Sequence, residues 1–165
     1  MPSIQYKKDR KAVVRSVLEG VGAVLKKRGQ KYRRQLLSSV LGYQTELLGE
    51  MMTVGHYIEP NQLIWAELIN VYVDVPAENM PPLSVAVNVV NNNLRYGKFS
   101  VDSNGDGITY LCSTLIHDAE CSPQLFETMD QATTIIMKHY GESLVRLARG
   151  EMTLMELYNQ LKPDQ

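Results

Sequence analysis

The sequence predicts an α+β fold, an antiparallel sheet covered by helices, and three observations predict it. Residues 62–75 alternate apolar and polar positions over the length of a long strand. Two further alternating segments flank Ser103-Asn104-Gly105-Asp106-Gly107, and Asn-Gly and Asp-Gly pairs close tight hairpins. Before, between and after these segments, apolar residues recur at helical spacing. At 165 residues the chain has the length of one ordinary domain.

The elements follow in order. Residues 7–27 read as a helix, because Val14, Val17, Val21 and Val24 recur at helical spacing with Leu18 and Leu25 beside them. Gly20 and Gly22 weaken it and Gly29 breaks it. Residues 31–52 read as a second helix. Leu37, Leu41, Leu48 and Met52 form one stripe, and Leu36, Val40, Leu47 and Met51 lie next to it. Gly55, Pro60 and Asn61 mark a loop. In 62–75, Leu63, Trp65, Ile69, Val71, Val73 and Val75 share one side of a strand, with a bulge or bend expected near Glu67–Asn70. Pro76 ends the strand, and Pro81-Pro82 suits the first turn of a helix over 83–94 that closes near Asn91–Asn93 and Gly97. Strands over 98–103 and 107–116 enclose the hairpin turn. Ser122-Pro123 opens a long helix to 149 that Gly141 kinks and Gly150 caps. Thr153 and Glu156 have capping-box spacing before a last helix ending near Leu161. With no repeat, low-complexity tract or linker, residues 1–165 read as a single domain, with a helical segment at 1–52 and an α+β core at 62–161.

The composition, 44% hydrophobic and 21% charged, is that of a globular chain. No apolar run approaches the ~18 residues that span a bilayer, and the charged first ten residues do not read as a secretory signal. Cys112 and Cys121 form no CxxC pair and read as buried reduced thiols, which points to the cytoplasm. The near-neutral total hides an asymmetry. Residues 1–34 hold eleven basic side chains (Lys7, Lys8, Arg10, Lys11, Arg15, Lys26, Lys27, Arg28, Lys31, Arg33, Arg34) against two acidic ones, Asp9 and Glu19. The remainder holds six basic and sixteen acidic residues. The two parts attract each other, within one chain or between two, and the basic part suits an anionic partner.

Candidate chemistry is sparse. Asp102 to Gly107 matches the first half of a calcium loop, but the twelfth position, which needs a bidentate Glu, is Ser113 in a predicted strand. The segment therefore reads as a hairpin turn. His117, Asp118, Glu120 and Cys121 cluster in one loop, but His56 and His139 stand at no ligand spacing to them, so the cluster reads as loop polar groups beside a buried thiol. No nucleophile elbow, zinc-protease or phosphate-binding motif is present. The sequence thus assigns no catalytic, cofactor-binding or metal-binding residue, and reads as a non-enzyme without a cofactor.

Asn91-Asn92-Asn93-Leu94-Arg95-Tyr96-Gly97-Lys98-Phe99-Ser100-Val101-Asp102 resembles the YbjN domain family, in which an asparagine late in a helix precedes Gly-x-Phe and a strand ending in Asp. Ile108-Thr109-Tyr110, Arg149-Gly150-Glu151 and Met152-Thr153-Leu154-Met155-Glu156, the last similar to cyanobacterial members, extend the resemblance over about residues 70–160. The resemblance implies a twisted antiparallel sheet with helices packed on it, like the type III secretion chaperones, and often a dimer. It implies no catalytic residue. Family members usually follow an N-terminal helix with strands, so a helix at 31–52 would be a departure.

The function expected is a non-catalytic, protein-binding adaptor or chaperone-like module. The alternative is nucleic-acid or anionic-surface binding through residues 7–34. The expected partners are a second copy of the chain, held partly by an apolar helix at 31–52, or a protein client, with no membrane.

Overall fold

The computed structural model describes residues 4–35, 39–59, 64–116 and 123–162. Its elements are α1 (Ile4–Lys27), β1 (Arg33–Gln35), β2 (Val40–Leu47), β3 (Glu50–Glu59), β4 (Ile64–Val71), α2 (Met80–Asn93), β5 (Lys98–Val101), β6 (Ile108–Leu115), α3 (Pro123–Ile136), a π turn (Met137–Gly141), α4 (Glu142–Ala148) and α5 (Leu154–Leu161). The strands form one antiparallel open sheet in the order β1-β2-β3-β4-β6-β5. The fold class is the α+β one that the sequence predicts.

The helix expected over 31–52 does not form. That stretch holds β1, β2 and the start of β3, and β1 pairs with β2 in the register Arg33↔Gly42, Arg34↔Leu41, Gln35↔Val40. The residues that decide are Leu48 (φ 52°) and Gly49 (φ 82°). Two successive left-handed residues reverse the chain between β2 and β3 in the manner of the tight hairpins that suit twisted strands. Gly42 crosses β3 so closely that a Cβ there would lie 3.2 Å from the Val54 carbonyl oxygen. Paired apolar residues such as Val40-Leu41 and Leu47-Leu48 give a broad helical stripe and equally a strand apolar on both faces, so periodicity alone does not separate the two. Leu36 and Leu37 lie outside the described residues. The same correction removes the helical interface expected to hold a dimer. Gly55, expected in a loop, lies inside β3, and β4 passes through Glu67–Asn70 without interruption.

The chain divides into two compact units. The first comprises Met1–Gln44, Thr53–Leu68 and Cys112–Thr133. Its core sets Val13, Val14, Val17, Leu18, Val21, Val24 and Leu25 of α1 against Leu41, Ile58, Trp65, Ile116 and Phe126. Burial of this valine stripe, and not helix propensity, holds α1 together, since β-branched residues are middling helix formers.

The second unit comprises Thr45–Met52, Ile69–Leu111 and Thr134–Gln165. Leu83, Ala86, Val87 and Val90 are the buried stripe of α2, which packs on β5, α4 and α5. The residues that carry the YbjN resemblance make one knot here. Asn91 pairs with both backbone groups of Phe99: its Nδ2 donates to the Phe99 carbonyl at 2.9 Å, and its Oδ1 accepts from the Phe99 N–H at 2.7 Å. Gly97 has φ 69°, and a Cβ on it would strike the Tyr110 phenol. Phe99 lies opposite Tyr110 in the β5–β6 register, with ring centroids 4.9 Å apart. Asp102 accepts from the Asn104 N–H at 2.8 Å, and its own N–H donates to the Gly107 carbonyl, so the expected hairpin turn forms. Arg149 donates to Glu50 and to the Leu48 carbonyl, fixing the β2–β3 turn. The Thr153–Glu156 capping box is present.

Candidate functional site

Alternation in the first unit's strands decides what is sealed and what is open. Leu41, Ile58, Trp65 and Ile116 face α1 and Phe126 of α3. On β4 the same side carries Glu67, 1% exposed, and on β3 it carries His56, 0% exposed. The His56 ring sits among Tyr43, Trp65 and Phe126, at centroid distances of 6.1, 6.0 and 5.2 Å, and Trp65 stacks on Phe126 at 5.6 Å. Among the described residues neither nitrogen of His56, nor the indole N–H of Trp65, has a hydrogen-bond partner. Burial lowers the His56 pKa to about 4, so the ring is neutral near pH 7.

Glu67 is the second unusual group. Burial raises its pKa to about 7; the Thr133 hydroxyl, which donates to Oε2 at 2.9 Å, pulls it down, and the charge of Asp130 raises it further. Asp130, 7% exposed, is ion-paired with Arg28. The guanidinium of Arg28 also lies 5.9 Å from the centroid of the Phe126 ring, and its hydrogen bond to Asp130 raises its pKa. Burial, with Asp130 and Glu67 nearby, holds the Tyr43 phenol well above its ordinary value. His56 and Glu67 are thus titratable groups shut off from solvent.

The residues that sequence singled out do not meet in a site. Asp102 to Gly107 form the β5–β6 turn, and Ser113 lies in β6. His117, Asp118, Glu120 and Cys121 lie outside the described residues. His139 is exposed in the π turn beside Tyr140, with ring centroids 4.6 Å apart. Cys112 is half-buried in β6 and forms no disulfide. Among the described residues no three His, Cys, Asp or Glu side chains converge as a metal set, and no helix is long and apolar enough to cross a membrane. Sequence reasoning missed Glu67, His56, Asp130 and Thr133. The one available signal was Glu67 itself, the single charged residue on the otherwise apolar odd-numbered side of residues 63–73.

Two surfaces of the first unit stand out. The first is basic. Lys26, Lys27, Arg28, Lys31, Arg33 and Arg34 are all exposed, at the end of α1, in the turn that follows it and on β1, the edge strand. Among the described residues only Arg28 of these six enters an ion pair. The second is the sheet face turned away from α1 and α3. The neighbours of the four buried strand residues are Val40, Tyr57, Ile64 and Leu115, and Leu68 shares their side. Leu115 is 54% exposed and the other four are half-buried.

No family model matches the chain, and no curated protein sequence matches it. Four chains of solved structure do. One is the crystal structure of YbjN from E. coli, described as a candidate transcription regulator. It superposes with a TM-score of 0.57 at 11% sequence identity, covering 81% of this chain and 92% of that one. At that identity the likeness is one of architecture, and the chain has the fold of YbjN.

Proposed function

We propose that the chain is a non-catalytic protein-binding module, an adaptor or chaperone-like protein built on the YbjN fold. The observation that carries this reading is a group of apolar residues on the side of the first unit's sheet that α1 and α3 leave open, beside polar Gln44, Thr53, Glu59 and Ser113. An antiparallel sheet with one solvated face normally alternates apolar and polar residues. Here Val40, Tyr57, Ile64, Leu68 and Leu115 share the side that α1 and α3 leave open, and apolar residues gathered on one solvent-reached face support a protein-binding site. A second copy of the chain is the occupant proposed first, because this surface restores the apolar cover that the expected helix was to supply; a client protein is the other. Sedimentation equilibrium at micromolar concentration, with Leu115→Lys as the variant, tests it. A wild-type dimer that becomes a folded monomer in the variant supports self-association. A monomeric wild type that captures a protein from lysate, with capture lost in the variant, supports a client. A monomer whose captures are the same in both proteins overturns the reading.

A second reading, binding of a polyanion such as nucleic acid, is favoured by the basic edge. Five of its six cations carry no ion pair among the described residues, and they lie on a short segment of one helix end, the turn that follows it and one edge strand. The description of E. coli YbjN as a candidate transcription regulator agrees with this reading.

A further inference from the structure

Two polar contacts of different chemistry hold α3 in the first unit. Asp130 meets a cation, Arg28. Three residues further along the helix, Thr133 meets Glu67, and among the described residues this neutral hydroxyl is the only hydrogen-bond partner of the buried carboxyl. The elements of the first unit carry further ionisable groups. Tyr43 of β2 and His56 of β3 are kept neutral by burial. Cys112 shares the buried side of β6 with Tyr110 by alternation. Asp130 and Glu127 are the acidic residues of α3, and Arg28 is engaged by Asp130.

We propose that buried Glu67 is a protonation-dependent latch for α3: the helix seats on the sheet while Glu67 holds its proton, and loosens when the proton leaves because the buried charge costs more than the Thr133 hydrogen bond returns. The protonated carboxyl is a tolerable core group, with Thr133 donating to one oxygen. Loss of the proton leaves a full charge on a group 1% exposed, opposed by Asp130 and met, among the described residues, by a single neutral donor. An unpaired buried charge is costly enough that admitting water is the cheaper outcome. Moving α3 admits it, because Thr133 and Asp130 both lie on that helix. Burial places the change at about pH 7.

The chain carries its own reporter. Trp65 is the single tryptophan, fully buried and stacked on Phe126 of α3. Trp65 emission and its quenching by acrylamide are followed in the full chain from acid to alkaline pH. The expected result is a red shift and increased quenching with a midpoint at about pH 7. Glu67→Gln, which cannot ionise, abolishes the transition. Thr133→Val removes the donor that favours the ionised form and moves the midpoint upward. A flat profile in the wild type overturns the latch. So does a transition that persists in Glu67→Gln, whether or not His56→Leu removes it. If Glu67→Gln does not fold, the Thr133→Val midpoint decides, and an unmoved midpoint overturns the proposal.

Discussion

Folding shifts His56 and Glu67 in opposite directions, and their joint effect on stability has a definite shape. His56 falls from 6.5 to about 4, so the stability it contributes is complete above pH 6.5 and is lost as pH falls through 4. Glu67 rises from 4.5 to about 7, so its contribution is complete below pH 4.5 and is lost as pH rises through 7. Between pH 4.5 and 6.5 the native state keeps a proton on Glu67 that the unfolded chain releases, and lacks one on His56 that the unfolded chain binds. The proton counts match, and the pair gives a plateau that falls away on both sides. Urea midpoints measured across this range check it. In Glu67→Gln, stability is expected to rise with pH from 4 to 6.5. In His56→Leu it is expected to fall from 4.5 to 7, by at most about 1.4 kcal/mol per pH unit. A plateau retained in both variants would count against the assignment. His56→Leu should also raise stability near pH 7, because it removes two buried nitrogens without partners.

At the scale of elements, the residues on which the sequence resembles the YbjN family record joinery. Asn91 serves as an amide template for the Phe99 backbone, locking the end of α2 to the start of β5. Gly97 supplies the left-handed residue between them, under the Tyr110 ring. Asn91→Ala leaves both Phe99 groups without their partner and is expected to destabilise the fold by about 1–3 kcal/mol. Asn91→Asp keeps the acceptor for the Phe99 N–H and loses the donor to its carbonyl, so it should fall between the wild type and Ala. Thermal unfolding of the three proteins checks the order, and equal stability of all three would show that the pairing contributes nothing. The α2 stripe, the Asp102 turn and the Thr153 capping box were legible because each is local, set by residues a few positions apart. The strands at 33–52 were not, because a strand apolar on both faces and a broad helix face share one apolar pattern. The choice fell to Leu48-Gly49, which reads as an ordinary dipeptide until its partner strand is known.

At the scale of the molecule, the charge asymmetry takes a clear position. The basic segment engages the acidic remainder through Arg28 and Asp130, and leaves Lys26, Lys27, Lys31, Arg33 and Arg34 solvated among the described residues. Solvated cations contribute little to stability, and their effect is on encounter and on anionic partners. The two functional readings separate here. The protein-binding reading expects no appreciable affinity for duplex DNA at physiological salt. Polyanion binding expects an affinity whose logarithm falls linearly with the logarithm of salt concentration, with a slope shallower by about 0.9 for each phosphate that the protein no longer neutralises. Fluorescence anisotropy on the wild type and on a variant with Lys26, Lys27, Lys31 and Arg33 changed to Gln measures it. A steep slope that the variant flattens would rank the second reading first.

The sequence by itself determined the fold class, the α1 stripe, the hairpin at 103–107, the long helical stretch that follows Pro123, and the absence of a recognised catalytic motif. These follow from spacing, capping residues and turn chemistry within a few positions of the chain. Only the tertiary structure decided that the described residues of 33–52 build strands, that His56 and Glu67 are buried, that Asp130 takes Arg28 from the far end of the chain, and that apolar Val40, Tyr57, Ile64, Leu68 and Leu115 share the side the helices leave open. Each of these depends on which strand lies beside which, and on which face a helix covers. Such pairings join residues far apart in the chain, and no local pattern specifies them.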